Sequence, residues 1–310
     1  MAPSTDPSIW NQEIAVSAEV IEYVDDAVKA KMPEGTQVVS IAPSGSSYWA
    51  RTAKIETIDS EGNEVSYFIK VHQGADSYKL VLGEYHSMKT LWDAMPELKM
   101  KDVHFFLCSF PELSGDIPDV NKIPALVAEL HNRHVSPDGT FGFPHQTFGG
   151  RLAQFFPVTN SWEETFRSGM QRTFDNEENA QGYDEDMAQL KKAIIEKVIP
   201  RLLRPLETGP DNIQPRLVHG DMWDGNCSVD VNTNKPIVFD ATYELGPWQP
   251  RRHEMSKRPY IEQYTKHFKP SNPKEDFEDR VLLSSMRFNL HASSLYPGNT
   301  RFRNIVREDM

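Results

Sequence analysis

The sequence predicts an α+β chain with two lobes: an N-terminal lobe built on an antiparallel β-sheet with one key helix, and a mainly helical C-terminal lobe. Three observations point there. Short apolar and β-branched runs lie close together between Val38 and Val71, separated by turn-forming residues. From Asp119 onward the dominant pattern is helical. One Gly-punctuated stretch, Leu217-Val218-His219-Gly220-Asp221-Met222-Trp223-Asp224-Gly225-Asn226, interrupts that pattern and is followed by Pro236-Ile237-Val238-Phe239-Asp240. The expected division is 1–110 for the first lobe and 111–310 for the second.

Taken in order, residues 1–15 are polar and Pro-containing and read as a loosely held arm. Ser17 to Met32 carries apolar residues at Val20, Ile21, Val24, Ala27 and Val28, the spacing of a short amphipathic helix that Pro33-Glu34-Gly35 ends. Val38 to Ile41, Tyr48 to Ile58 and Val65 to Val71 read as three strands. Asp59-Ser60-Glu61-Gly62-Asn63 is a hairpin turn between the last two. Ser44-Gly45-Ser46-Ser47 is small enough for backbone N–H groups to approach phosphates, although no Gly-Lys-Ser/Thr follows to make it a Walker loop.

Lys70 closes the third strand inside Tyr67-Phe68-Ile69-Lys70-Val71, where a charge is costly unless it meets an anion. Glu84 follows fourteen positions later in a helical pattern from Leu80 to Trp92. Val103 to Phe110 reads as a further strand. Asp119 to His134 reads as a helix ending in His131 and His134; with no third ligand at a fitting spacing, this pair is expected to be helix-surface histidines rather than a metal site. Ser136 to Gly150 reads as an ordered loop. Ser161 to Phe174 and Asp184 to Leu206 read as helices, with Asp175 to Asp186 acidic and exposed between them and Lys191-Lys192 on a solvated face. Pro259 to Phe268 and Phe277 to Leu290 complete the helical half, and a polar tail ends at Met310.

The 310 residues carry a net charge of −12, which argues against a nucleic-acid partner, whose electrostatic footprint would be basic. No apolar run reaches the length of a membrane span, and the first residues lack the charged and apolar regions of a secretory signal. Cys108 and Cys227 lie in apolar stretches and make no disulfide framework, so a cytoplasmic, reducing location is expected. Oligomeric state is not legible.

The Asp221 loop carries the chemistry. Phosphoryl transfer leaves little covalent work for a protein, so positioning and charge neutralisation dominate. One carboxylate must sit near the acceptor hydroxyl, while an amide oxygen and a second carboxylate hold Mg2+ against the phosphates. Asp221 fits the first role; Asn226, five positions later, and Asp240 fit the others. This is the layout of protein-kinase-like phosphotransferases. In that arrangement a strand Lys paired with a helix Glu grips the phosphates, which assigns Lys70 and Glu84, and the strand ending in Ser109 and Phe110 offers backbone groups to adenine. His219, with no nucleophile elbow beside it, reads most simply as a brace for the loop.

The chain resembles the fructosamine kinase (ketosamine-3-kinase) family, fungal members most, and through it the aminoglycoside and choline phosphotransferases. The resemblance runs from about Ile41 to Asn304. It rests on Arg51-Thr52-Ala53-Lys54-Ile55, Phe105-Phe106-Leu107-Cys108, Ala128-Glu129-Leu130-His131, Gly139-Thr140-Phe141-Gly142-Phe143, Leu217 to Asn226, and Arg287-Phe288-Asn289-Leu290-His291. It implies ATP- and Mg2+-dependent phosphorylation of the sugar 3-hydroxyl of ketosamines on protein lysines, after which the adduct is lost. On that reading Asp221 is the base, Asn226 and Asp240 hold Mg2+, Lys70 and Glu84 serve the nucleotide with Gly45, Ser46, Ser109 and Phe110, and Trp223 and His219 lie on the substrate side. The partners would be glycated proteins or free ketosamines.

One departure stands out: Phe239-Asp240-Ala241-Thr242 runs almost directly into Tyr243-Glu244-Leu245-Gly246, roughly eight residues shorter than the family pattern, the length of an ordinary loop. It keeps two other readings open, a kinase-fold binding protein with impaired catalysis and a small-molecule phosphotransferase.

Overall fold

Alternation of side chains along three strands builds the N-terminal sheet. In the computed structural model, which describes residues 18–45, 49–73, 76–94, 106–109, 112–208, 212–238, 255 and 258–309, these strands are β1 (Gln37–Pro43), β2 (Arg51–Ile58) and β3 (Glu64–Val71). With β4 (Phe106–Ser109) they form an antiparallel sheet in the order β1-β2-β3-β4. The β2–β3 turn is the hairpin that the sequence predicts. One carboxylate oxygen of Asp59 accepts from the N–H groups of Glu61 and Asn63, each at 2.9 Å, so the turn satisfies its own backbone donors.

Period-2 alternation gives the sheet two faces. Ala53 and Ile55 of β2 with Tyr67, Ile69 and Val71 of β3 pack against Ile21, Val24, Val28 and Met32. The single helix expected over Ser17 to Met32 is instead a 3-10 turn, Ala18–Ile21, and a short helix α1, Asp26–Lys29. Asp25 explains the break: its side chain accepts from Ala27 N–H at 2.8 Å and starts a new helix, a local bond that competes with continuing the first. On the opposite parity lies Lys70. Helix α2 (Ser77–Ala94) follows β3.

The described chain separates into two units, residues 2–115 with 229–237 and residues 116–228 with 238–310. The short returning segment belongs with the N-terminal unit because Val231 N–H donates to Glu112 O at 2.8 Å and Ser114 N–H donates to Val229 O at 2.9 Å.

The second unit is helical. Its members are α3 (Lys122–Arg133), α4 (Trp162–Gln181), α5 (Glu185–Ala193), α6 (Ile199–Leu203), α7 (Pro205–Thr208), α8 (Arg258–His267), α9 (Phe277–Leu295) and α10 (Arg301–Glu308). A two-stranded β5–β6 pair (Phe148–Gly149, Leu152–Ala153) lies within the expected ordered loop region and beyond it. The stretch expected as one helix from Asp184 to Leu206 contains a π turn, Ile194–Val198, between α5 and α6. Pro200 accounts for it: the ring has no N–H to give and crowds the carbonyl four residues back, and a widened turn relieves both.

Two apolar clusters fill this unit. One joins Phe166, Met170 and Phe174 of α4 to Leu202, Leu203, Met286, Leu290 and Val306. The other joins Ile123, Val127 and Ala128 of α3 to Tyr260 and Tyr264 of α8, with Met222, Cys227 and Met255 among them. That second cluster is what anchors the Asp221 loop.

Three further expectations fail, each because burial overrides local polarity. His131 is not a surface histidine. It is buried, its Nδ1 lies 2.7 Å from the Tyr264 hydroxyl, and burial, with Arg216 nearby, holds its pKa down to about 3. The acidic stretch between Asp175 and Asp186 is not simply exposed: α4 runs through to Gln181, and Glu177 is fully buried against Arg303. The polar tail is not a tail up to Asp309; most of it is α10, with Phe302 and Val306 in the core.

Candidate active site

In the N-terminal unit the predicted Lys–Glu pair is formed. Lys70 Nζ donates to Glu84 Oε1 at 3.1 Å, and the two side chains are only 11% and 12% exposed. Lys70 is not an edge-strand lysine: β3 lies between β2 and β4, and Lys70 stands opposite Thr52 on one side and Phe106 on the other. An ammonium ion withdrawn from water this far needs an anion, and Glu84, on the α2 helix, supplies it. Gly45 lies just past β1, where Ser44 N–H donates to Thr52 O at 3.1 Å. The Ser109 backbone is paired opposite Tyr67 in β4. Ser46 and Phe110 lie outside the described residues.

A further side chain, His72, joins the pair and escaped the sequence reading. Its Nε2 lies 3.8 Å from Glu84 Oε2, the carboxylate oxygen opposite the one that Lys70 uses. The available signal was its position two residues after Lys70, which puts both on the same side of an extended chain.

In the C-terminal unit the loop starts from a fixed frame. The chain enters it through a single bridge, Val135 with Arg216, flanked by Ser136 N–H to Pro215 O at 2.8 Å and Leu217 N–H to His134 O at 3.2 Å. Arg216 donates to the carbonyl of His131 at 2.6 Å and stacks over Phe268, so the chain entering the loop is tied to α3 and α8. Gly220 then turns with φ +88°, a left-handed conformation that side-chain-bearing residues rarely adopt.

Within the loop, Asp221 and Asn226 are brought together. Asn226 Nδ2 donates to Asp221 O at 2.8 Å and to Asp221 Oδ2 at 3.0 Å. Asn226 is buried, and its amide nitrogen is committed to Asp221, which sets the amide oxygen to the other side of the group. His219 is buried too, and its Nδ1 accepts from Asp221 N–H at 3.4 Å. Met222, between Asp221 and Trp223, drives into the α3–α8 cluster and pins the loop from beneath. Cys227 does the same. Burial and the neighbouring Asp224 push its thiol up to about 12, so it stays protonated, lying 3.6 Å from the Trp223 carbonyl as a weak donor. Asp240 lies outside the described residues, as does the shortened segment after it, Glu244 included.

Trp223 folds back over its own loop. A Cβ added at Gly225 would stand 2.3 Å from two atoms of the Trp223 ring, so the indole takes this position only because residue 225 has no side chain. Gly225→Ala is therefore expected to destabilise the protein by about 1–3 kcal/mol through overpacking and to shift its tryptophan fluorescence. Adding Trp223→Ala should recover much of that loss. Equal stability of Gly225→Ala and the unaltered chain would show that the indole is free to leave.

The family model for fructosamine kinase matches residues 50–268, more than two thirds of the chain. The chain belongs to the fructosamine kinase family. It is 38% identical to mouse ketosamine-3-kinase over 107 residues, 34% of this chain and 32% of the mouse protein. It is 24% identical to the chloroplastic protein-ribulosamine 3-kinase of Arabidopsis thaliana over 145 residues, 46% of this chain and 41% of that protein. The aligned part thus spans less than half the length of these curated relatives. The crystal structure of a Thermobifida fusca protein assigned as a fructosamine-3-kinase superposes with a TM-score of 0.65 at 16% identity, covering 89% of this chain and 93% of that one. At that identity the likeness establishes the fold, the kinase-like one that the sequence predicts.

Mg2+ takes hard oxygen donors, an amide oxygen among them, and Asn226 offers one because its side-chain hydrogen bonds to Asp221 use Nδ2. Among the described residues no group of three His, Cys, Asp or Glu side chains is poised for a metal, and a Mg2+ ion shared with substrate phosphates needs none. No described helix is long and apolar enough to cross a membrane.

Proposed function

We propose that this chain is an ATP-dependent kinase that phosphorylates the 3-hydroxyl of a ketosamine on a glycated lysine, in a deglycation pathway. The observation that carries the reading is the pair of hydrogen bonds from Asn226 Nδ2 to Asp221, one to its backbone carbonyl and one to its carboxylate, which ties the acid and the amide of the loop into one unit. Family membership supports the acceptor class, since a curated relative is a ketosamine-3-kinase.

In this reading the N-terminal unit binds the nucleotide. Lys70, held by Glu84, places its ammonium against the phosphates, with Gly45, Ser46 and the backbone of Ser109 and Phe110 lining the nucleotide site. Asp221 orients the acceptor hydroxyl and takes its proton as the O–P bond forms, while the bond from the γ-phosphorus to the bridging oxygen breaks and ADP leaves. Asn226 and Asp240 would hold Mg2+, which would neutralise charge on the phosphate oxygens. Trp223 offers an aromatic face to the sugar or to the lysine stem. Buried as it is, His219 we assign to bracing the loop.

The test is ATP consumption with Mg2+ against ribulosyl-lysine, fructosyl-lysine, choline and an aminoglycoside. Turnover that depends on a ketosamine is the expected result. Turnover with choline or the aminoglycoside alone would move the chain to small-molecule phosphotransfer. Nucleotide binding without turnover on any acceptor would make it a binding protein.

A further inference from the structure

Glu84 is approached from two sides, and only one of them is accounted for by the Lys70 pair. Along β3, Tyr67, Ile69 and Val71 face the apolar core under the sheet. Lys70 and His72 have the opposite parity. Lys70 Nζ meets Oε1 of Glu84 at 3.1 Å, and His72 Nε2 lies 3.8 Å from Oε2. The His72 side chain is 6% exposed, and among the described residues neither of its ring nitrogens has a hydrogen-bond partner.

A buried imidazole always carries at least one N–H, and leaving that donor unsatisfied is costly. Among the described residues, Glu84 Oε2, 3.8 Å from Nε2, is an acceptor close to it. A shift of under about 1 Å brings the contact into the range of an N–H···O hydrogen bond. Hydrogen bonds in functional sites are often long in the unliganded protein and tighten when the ligand arrives.

We infer that His72 is a positioning residue for Lys70: it braces the outer oxygen of Glu84 and so keeps the inner oxygen aimed at the lysine that grips the nucleotide phosphates. The inference rests on the kinase reading of the Lys70–Glu84 pair. A carboxylate held from one side only can swing about its terminal torsion, which is broad. One held from both sides cannot. Lys70 then stays extended toward the phosphates instead of following Glu84.

The experiment measures affinity for a fluorescent ATP analogue directly, together with KM for ATP, kcat and thermal stability. His72→Leu removes the donor and His72→Gln keeps one. His72→Leu is expected to weaken nucleotide binding about five- to tenfold and to raise KM for ATP in step, with a smaller effect on kcat. His72→Gln should retain most of the affinity. In a Glu84→Gln background, His72→Leu should add less than about twofold, because there is no longer a carboxylate to brace.

A penalty from His72→Leu as large with Gln at position 84 as with Glu would overturn the inference, since it would then reflect packing alone. Lys70-dependent nucleotide binding indifferent to both His72 variants would overturn it while leaving the kinase reading intact. No nucleotide binding by the unaltered chain, or equal binding by Lys70→Met, would overturn both. His72→Gln keeps the test decisive if the leucine variant does not fold.

Discussion

Asp221→Asn is expected to lower turnover by about 10²- to 10⁴-fold, the range for removing a general base, while nucleotide affinity stays within about twofold. The substitution is nearly isosteric. Its side-chain oxygen still accepts from Asn226 Nδ2, and the hydrogen bond from Asn226 Nδ2 to the backbone carbonyl of residue 221 is untouched. What disappears is the negative charge and the capacity to take a proton. Because Met222 and Cys227 anchor the loop in the α3–α8 cluster, the variant should fold and melt like the parent. Steady-state turnover on a ketosamine, read beside nucleotide titration, checks this. Turnover equal to the parent would remove Asp221 from the chemistry. A loss of nucleotide affinity as large as the loss of rate would mean that the loop, not the charge, had been disturbed.

Arg303→Ala should cost about 3–5 kcal/mol of stability, the penalty for leaving a buried charge without its partner. Glu177, 1% exposed, accepts from Arg303 Nε at 2.7 Å and Nη2 at 2.9 Å, and from Ser293 Oγ at 2.9 Å. The same Nη2 donates to Gly182 O at 2.8 Å, just beyond the last turn of α4. One guanidinium therefore neutralises the buried carboxylate and binds a carbonyl at the helix end, tying α10 to α4. Removing it strands both. Replacing the two partners together, Glu177→Leu with Arg303→Met, should recover the part of the loss that comes from the stranded carboxylate, because two apolar groups need no partner in a packed interior, while the Gly182 carbonyl and the Ser293 hydroxyl still lose theirs. Urea denaturation of the single and double variants measures both. A cost under about 1 kcal/mol for Arg303→Ala would show that water reaches the pair, as it does at exposed ion pairs.

These two predictions differ in how far the sequence alone could have reached them. Asp221 and Asn226 are close in the chain, and a loop of His, Gly, Asp, Trp, Gly and Asn has few ways to fold, so their meeting was legible from spacing. Lys70 and Glu84 were legible for a related reason. A lysine on an interior strand and a glutamate one helix later answer to two periodicities, and each shows in the order of residues. The hairpin at Asp59 and the presence of β2 and β3 on either side of it follow from equally local rules.

Glu177 and Arg303 lie 126 residues apart, and nothing around either one announces the other. Read locally, Glu177 belongs to an acidic stretch and Arg303 to a polar tail. Only packing α4, α9 and α10 together turns two solvated charges into a buried pair. His131 follows the same logic: its i, i+3 relation to His134 is visible in the sequence, but the Tyr264 hydroxyl that engages it arrives from a helix 133 residues away. His72 sits between the two cases. Alternation along β3 set its side of the strand, but which carboxylate oxygen it would face depended on how α2 is held against the sheet.

The sequence by itself thus determined the central strands, their hairpin and the chemistry carried on short stretches, because strand parity, turn composition and loop spacing act over a few bonds. Tertiary structure alone decided which polar groups are buried and which partner satisfies them, because desolvation depends on everything that packs around a group and not on its neighbours in the chain.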